Sequence, residues 1–262
     1  MIGTITGDKN QVIRRKAILE LLDADGTLSV NELSERFNVS SVTIRKDLEN
    51  LQNSGLVVRK HGRAVKVNAD NSKPDYEARM NINSEKKRRI AKAALQLIDE
   101  GDSIIMNVGS TSAYLCEELK NKNDITVVTN AVTLAKTLLN YENVTTFLLG
   151  GRVDRNMQIA VGEDTLEQLM KYNVNKLFMG MDGVDVKAGA TSYNHREDSI
   201  MHQMIAQSKE KYLIVDDSKF GRAALVHVAD LSDFDAIITN YEARNEKCYA
   251  DIRALGVRVI TV

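Results

Sequence analysis

Side chains able to contact a nucleic acid are concentrated between residues 41 and 66. Residues 41–50 read SVTIRKDLEN, and helical spacing lets four of them share one outward face: Ser41, Thr43, Arg45 and Lys46. A cationic strip follows, made of Arg59, Lys60, His61, Arg63 and Lys66. Arginine can pair with both acceptors of a guanine edge, whereas serine, threonine and lysine more often hold phosphates. The strip suits phosphate or minor-groove contact, so the two segments predict a partner made of double-stranded DNA.

A second group of polar residues follows short apolar runs in the rest of the chain. These turns lie at residues 107–112, 129–130, 150–152, 182–185 and 216–219. Glycine lets the backbone approach a ligand, and hydroxyls and the amides of a helix N-terminus can donate to an anion. Because ligands bind at the carboxyl edge of open α/β sheets, the turns are expected to converge there. The candidate ligand contacts are Gly109, Ser110, Thr111, Ser112, Asn130, Gly150, Gly151, Arg152, Asp182, Asp185 and Lys219.

The elements that carry the first group are three helices and a hairpin. Apolar spacing predicts helices near residues 10–22, 29–37 and 41–53, and Ser29 with Glu32 forms a capping box at the start of the second. In the third helix Val42, Ile44, Leu48 and Leu51 are expected to face the core. Two β-branched runs around the basic turn at Gly62 predict a hairpin. The pattern predicts a winged helix-turn-helix over residues 10–67, with its core at about 29–53.

A polar, aperiodic segment at 68–83 holds the single proline and is interpreted as a linker. Residues 84–262 then alternate helices with short apolar strands. Strands are predicted at 103–108, 125–129, 144–149, 176–180, 212–215, 236–239 and 257–262, and a helix at 85–99. Apolar strands separated by helices indicate a mostly parallel sheet covered on both faces. The fold class is therefore α/β, with a larger, Rossmann-like domain after the winged helix.

Composition limits the remaining classes of function. Residues 1–69 carry 11 Lys/Arg against 8 Asp/Glu, or +3, and the rest of the chain carries 24 against 28, or −4. The two cysteines lie far apart in sequence and have no metal-ligand spacing, so no disulfide framework, metal site or cofactor is predicted. The chain has no apolar run long enough for a membrane span, and the expected location is the reducing cytoplasm.

The pattern from Arg14, Ile18 and Leu22 to the run at 40–48, S-x-x-T-I-R-K-D-L, resembles the helix-turn-helix signature of the DeoR family of bacterial repressors. The wing RKHGRA at 59–64 is similar to that family's R-x-H-G-G-A, with Arg63 in place of the second glycine. The resemblance implies an α/β sensor domain that binds a sugar phosphate. It also implies that Asp47 is structural, because a carboxylate facing phosphates would be repelled.

The second domain also resembles the ribose-5-phosphate isomerase fold. Residues 109–112 resemble its phosphate loop, residues 182–185 its D-G-A-D motif, and Arg196-Glu197 with Asp216, Ser218 and Lys219 two further active-site segments. By this resemblance Glu197 joins the candidate ligand contacts. Most members of the regulator family carry an aspartate where this chain has Asn107.

Three hypotheses follow. The first is a ligand-gated repressor of sugar-metabolism genes, a homodimer or homotetramer that binds operator DNA and a phosphorylated sugar, not a membrane. The second is a sugar-phosphate isomerase, or a regulator with residual activity, in which Glu197 acts as the general base. The third is a DNA-binding protein whose second domain only mediates assembly. Simpler interpretations remain for single residues: Asp182 and Asp185 as turn caps, Glu197 as a first-turn helix residue, and Arg152 at a subunit interface.

Overall fold

The computed structural model describes residues 14–15, 17–22, 27–53, 57–60, 63–66, 76–194 and 197–262. The chain divides into two compact units, Met1–Ile82 and Asn83–Val262. No helix in the described ranges is long and apolar enough to cross a bilayer.

The first unit is a winged helix-turn-helix. In chain order its elements are α1 (residues 14–15 and 17–22), β1 (Thr27–Ser29), α2 (Val30–Phe37), α3 (Ser41–Asn53), β2 (Val57–Lys60), β3 (Arg63–Lys66) and α4 (Tyr76–Asn81). The strands form one antiparallel sheet in the order β1-β3-β2. The predicted helices and hairpin are confirmed in the described ranges, while residues 10–13 of the first helix and the hairpin turn at 61–62 lie outside them. The sequence interpretation missed β1, whose three residues are too few to show an alternating pattern.

The core of this unit is formed by the apolar faces of α1, α2 and α3. Ile18, Leu33, Ile44 and Leu48 are fully buried in a single cluster, and Leu51 is 4% exposed. The expectation for Val42 is wrong, because its side chain is 68% exposed. Val42 precedes Ile44 by two residues, which turns it about 200° away around a helix and onto the outer face.

Two local features fix the orientation of α3. Asp47 is fully buried and accepts hydrogen bonds from Arg14 Nε and, at 3.1 Å, from Arg15 Nε. The carboxylate therefore fastens α3 to α1 and faces away from the outer surface, as the resemblance implied. The turn before α3 is closed by Asn38, which has the left-handed conformation (φ 50°) and ends α2.

Residues 76–81, within the segment interpreted as a linker, form α4. The run Tyr-Glu-Ala-Arg-Met-Asn contains good helix formers and no glycine or proline, but six residues are too few to reveal a helical period. Residues 67–75, which include Pro74, lie outside the described ranges.

The second unit is built on one large sheet. Its main strands are β4 (Ser103–Met106), β5 (Ile125–Thr129), β6 (Val144–Leu148), β9 (Val174–Met179), β12 (Ser208–Ile214), β14 (Ala236–Thr239) and β15 (Arg258–Thr261). All pairs are parallel, in the order β15-β14-β12-β9-β4-β5-β6. These are the seven strands predicted from apolar runs, and the α/β fold class is confirmed.

The helices of this unit alternate with the strands along the chain. They are α5 (Ser84–Leu95), α6 (Ser110–Glu118), α7 (Val132–Leu138), α8 (Glu163–Leu169), α9 (Asp198–Ala206) and α10 (Glu246–Ala254). Two small antiparallel sheets were not predicted. One pairs β7 (Arg152–Asp154) with β8 (Ile159–Val161), and the other joins β10 (Gly183–Asp185), β11 (Gly189–Ser192) and β13 (Val226–Ala229).

Candidate functional site

The outer face of α3 carries the predicted DNA contacts. Arg45 and Lys46 are exposed, and Ser41, the first residue of the helix, is half-buried. Thr43 is also half-buried, and its hydroxyl lies 2.9 Å from Ser40 Oγ, which accepts from Thr43 N. Ser40 thus stabilises the first turn of α3. The hydroxyls of Ser41 and Thr43 lie at the N-terminal end of the helix, ahead of Arg45 and Lys46.

Of the predicted cations of the wing, Arg63 is the one whose side-chain contacts the structure describes. Arg59 and Lys60 belong to β2, and His61 lies outside the described residues. Arg63, 45% exposed, donates from Nε to Thr27 Oγ1 at 3.0 Å and from Nη2 to Glu32 at 3.1 Å. Arg63, which departs from the family's wing pattern, is therefore hydrogen-bonded to β1 and α2.

Glu32 links this ion pair to the start of α2. Its carboxylate accepts from Ser29 N, and Ser29 Oγ accepts from Glu32 N, which completes the predicted capping box. The hydrogen bonds from Ser29, followed by the smaller contribution of Arg63, hold the pKa of Glu32 below its ordinary value. Arg63 and the capping box therefore share one carboxylate.

In the second unit, the predicted turns follow β4, β5, β6, β9 and β12, all parallel strands of one sheet. They therefore emerge at the same carboxyl edge. The turn after β4 enters α6, a nine-residue helix whose first three residues, Ser110, Thr111 and Ser112, are all buried. Gly109 is the N-cap residue, and as a glycine it has no side chain to accept from the amides of the first turn. Backbone amides at such an end are suited to an anion.

Asn107 joins the ends of β4 and β9. Its Nδ2 donates to Gly180 O at 3.0 Å, and its Oδ1 accepts from Gly180 N at 2.9 Å. Ser112 Oγ lies 3.5 Å from the same Oδ1. The side chain is 3% exposed, so the amide that replaces the family's aspartate is a buried tie between strands.

Asn130 and Glu197 meet although they are 67 residues apart in sequence. Asn130 Nδ2 donates to Ala160 O at 3.0 Å and to Glu197 Oε1 at 3.4 Å, and Asn194 Nδ2 donates to Glu197 Oε2 at 3.1 Å. Asn130 is fully buried and Glu197 is 2% exposed. Among the described residues, Asn130 Oδ1 has no hydrogen-bond partner. Arg196, beside Glu197, lies outside the described ranges.

The turn after β6 is hydrogen-bonded to α8. Gly150 N donates to Gln168 Oε1 at 2.9 Å, and Thr165 Oγ1 donates to Gly150 O at 2.7 Å. Gly151 has a φ of 141°, where a side chain is strained. Arg152 begins β7 and is exposed.

The two aspartates after β9 make different contacts, and of the two Asp185 is the one that caps a turn. Asp182 Oδ2 accepts from Tyr193 N at 3.1 Å and Ser192 Oγ at 3.3 Å, which fastens β11. Asp185 Oδ1 accepts from Lys187 N and Ala188 N within the turn that follows β10.

The predicted turn after β12 holds a cluster of charged residues whose distant members sequence reasoning missed. Asp216 is 2% exposed and accepts from Asn83 Nδ2 at 3.1 Å. Burial acts to raise the pKa of Asp216, but the charges of Lys219 and Lys87, with hydrogen bonds from Ser218, outweigh burial and lower it. The neighbouring Asp217, also buried, accepts from Lys86 Nζ at 2.7 Å and from Arg244 Nη2. The turn at 216–219 and Lys219 were predicted, but Asn83, Lys86 and Lys87 were not, because they lie more than 100 residues earlier in the chain.

Comparison with protein families gives two matches that together span most of the chain. A DeoR-like helix-turn-helix domain matches residues 14–69, and a DeoR C-terminal sensor domain matches residues 82–241. This chain belongs to the DeoR family of transcriptional regulators. The resemblance stated from the two motifs is confirmed, and the chain is a DNA-binding regulator with a sensor domain.

Relatives of this DeoR-family regulator that match over most of their length are also named as repressors or transcriptional regulators. It is 31% identical to the glycerol-3-phosphate regulon repressor of Escherichia coli K12 over 88% of this chain and 91% of the relative. It is 30% identical to the transcriptional repressor GlcR of Bacillus subtilis, covering 87% of each chain. It is also 32% identical to the regulator GlpR of Haloferax volcanii, covering 94% and 96%.

Among solved structures, ribose-5-phosphate isomerase A of Methanocaldococcus jannaschii matches with a TM-score of 0.39 and 20% identity. The match covers 53% of this chain and 55% of the isomerase.

Proposed function

We propose that this DeoR-family regulator represses sugar-metabolism genes and that a phosphorylated sugar, bound at the carboxyl edge of the large sheet, controls its hold on operator DNA. The relatives' names support the class of target, since they include a glycerol-3-phosphate regulon repressor. The cytoplasm is the proposed location.

The observation that supports a ligand site in the second unit is the buried amide of Asn130. Its Oδ1 has no partner in the described part of the chain, while its Nδ2 is held by Ala160 O and Glu197. A buried acceptor without a donor costs about 1–3 kcal/mol. A sugar hydroxyl that donates to Oδ1 recovers this cost, and Glu197 beside it is a natural acceptor for a second hydroxyl.

The phosphate end of the ligand is assigned to the start of α6. Gly109, Ser110, Thr111 and Ser112 supply hydroxyls and uncapped amides at one helix N-terminus. Lys219 and Arg152 are the proposed cations, and Gly150 and Gly151 shape the turn before Arg152. Asp182 supports the site by fastening the end of β11, and Asp185 supports it by capping the turn after β10.

The DNA half is assigned to the outer face of α3 and to the wing. Arg45 reads a base edge, while Ser41, Thr43 and Lys46 contact the backbone. Arg59, Lys60 and His61 contact phosphates from the wing. Arg63 adds a cation there while it also holds Glu32. Two or four chains associate through the second domain and present paired winged helices to repeated half-sites.

The protein is proposed not to be an enzyme. General-base catalysis needs a basic side chain within reach of the substrate proton, and the candidates at this edge are carboxylates. Asp182 and Asp185 are engaged with backbone amides, and Glu197 accepts from two asparagines. These hydrogen bonds support a role in which the carboxylates hold the backbone of the site and bind the ligand, as in a sensor.

The DNA half is tested by replacing Arg45. On a duplex selected by the full-length protein from a random library, Arg45→Ala is expected to weaken binding by about 5- to 100-fold, the range for one bidentate base contact. Lys171→Ala, an exposed change of equal charge in the second unit, serves as the control and should bind as the parent does. Equal affinity of Arg45→Ala and the parent would show that α3 is not the recognition helix.

The non-catalytic role is tested by assaying isomerisation. No turnover of pentose or hexose phosphates is expected from the full-length protein. Turnover that is present in the parent and disappears in Glu197→Ala would establish the isomerase alternative instead.

A further inference from the structure

The first unit exposes one unexpected apolar side chain. Among the side chains of this unit whose exposure the structure describes, Val42 is the one large apolar side chain that is exposed, at 68%. The core cluster of the unit forms without it, from Ile18, Leu33, Ile44 and Leu48 among others. Isolated exposed apolar residues are common on protein surfaces, so exposure alone assigns nothing.

The position of Val42 is informative. Counting along α3, Val42, Arg45, Lys46 and Glu49 stand at i, i+3, i+4 and i+7, which is one face of a helix, and all four are exposed. The opposite face, with Ile44, Asp47 and Leu48, is buried. Val42 also lies in the first turn, and the N-terminal residues of a recognition helix are those that meet base edges.

The cations beside Val42 restrict what can cover this face. Arg45 and Lys46 favour a polyanion, and the one apolar group that a polyanionic duplex offers in its major groove is the C5 methyl of thymine. Valine suits this contact because β-branching leaves one strongly preferred rotamer in a helix, so its two methyl groups are presented with little loss of entropy.

We propose that Val42 is a specificity-determining residue that packs against a thymine methyl group in each half-site, next to the base that Arg45 reads. This inference rests on the proposed role of α3 as the recognition helix. It adds a preference for thymine that neither the cations nor the hydroxyls of α3 supply.

The test uses the duplex that the full-length protein selects from a random library. Each thymine is replaced in turn by deoxyuridine, which removes only the C5 methyl group. For the parent, one replacement per half-site should weaken binding about fourfold, the factor expected for burial of one methyl group. Val42→Ala should bind the thymine duplex about fourfold more weakly than the parent, and the same replacement should then change its affinity less than twofold.

Glu49→Ala, on the same face, is the matched control and should keep the parent's penalty for deoxyuridine. Both variants remove exposed atoms, so an unchanged melting temperature confirms that the fold is retained. A deoxyuridine penalty that is equal in the parent and in Val42→Ala would overturn the assignment of Val42 alone. If the parent selects no preferred duplex, both the proposed function and the assignment fail.

Discussion

Single buried amides do much of the positioning at the carboxyl edge of the sensor domain. Asn107 both donates to and accepts from the backbone of Gly180, so the positions of its nitrogen and oxygen are fixed by the peptide group that it meets. A carboxylate offers no donor, and it would turn an acceptor toward Gly180 O. The amide is therefore the side chain that these surroundings require.

Replacing Asn107 by aspartate tests this interpretation. Asn107→Asp is expected to lower the free energy of unfolding by about 1–3 kcal/mol at pH 7, because Gly180 O loses its donor in a buried place. The loss should shrink as the pH falls and the new carboxyl group takes up a proton, since a protonated carboxyl can donate again. Urea denaturation at pH 7 and pH 5 measures both effects.

Asn173→Asp, at an exposed position of the same unit, is the control for the added charge. If Asn107→Asp is no less stable than Asn173→Asp, the contacts with Gly180 are not what holds β4 against β9.

At the scale of elements, prediction succeeded where burial dictates composition. The inner strands of the large sheet are mostly buried, so they read as apolar runs, whereas the edge strands β6 and β15 are mostly exposed or half-buried. All seven main strands were found, Ile125–Thr129 and Ala236–Thr239 to the residue. The short strands were missed because backbone pairing alone defines them. Arg152–Asp154 and Gly183–Asp185 each have three residues and resemble the turns for which they were taken.

The candidate site was predictable only in part for a related reason. Residues after apolar strands could be placed at one edge from topology, which located Asn130 and the start of α6. The partners of these residues come from distant segments, such as Glu197 for Asn130 and Asn83 for Asp216. Side chains that meet across such separations leave no local pattern. Val42 was misplaced for a different reason, since an apolar residue type was taken as evidence for burial.

The β7–β8 hairpin provides a test at this scale. Gly151 and Gly162 flank it, with φ of 141° and 107°, and both conformations are strained for other residues. A Cβ on Gly162 would have no heavy atom within 4 Å, whereas one on Gly151 would lie 2.3 Å from Thr165 Oγ1. Gly162→Ala is therefore expected to cost about 1–3 kcal/mol for the backbone alone, and Gly151→Ala a further 1–3 kcal/mol for the clash.

The two variants differ in what the added methyl group meets, which is Thr165 and Val161 O at Gly151 and no heavy atom within 4 Å at Gly162, so each is the control of the other. Chemical denaturation of the full chain gives both values. Equal destabilisation by Gly151→Ala and Gly162→Ala would mean that Thr165 moves aside at no cost and that the turn before Arg152 is not held rigidly by α8.

At the scale of the whole molecule, one chain combines a DNA-reading unit with a sensor unit. A ligand can change DNA affinity only by the difference between its affinities for the two arrangements of the protein. The change is reciprocal, so DNA must alter ligand affinity by the same factor. The account therefore predicts linkage between two sites that have no residue in common.

The most direct measurement is operator affinity with and without a pentose or hexose phosphate that raises the melting temperature of the full-length protein. Saturating ligand is expected to change the dissociation constant for the selected duplex by about 5- to 150-fold. Ser110→Ala should abolish this change and keep the affinity of the ligand-free protein, while Ser232→Ala, exposed and remote from the α6 turn in sequence, should behave as the parent does. A sugar phosphate that stabilises the protein and leaves DNA affinity unchanged would contradict the account.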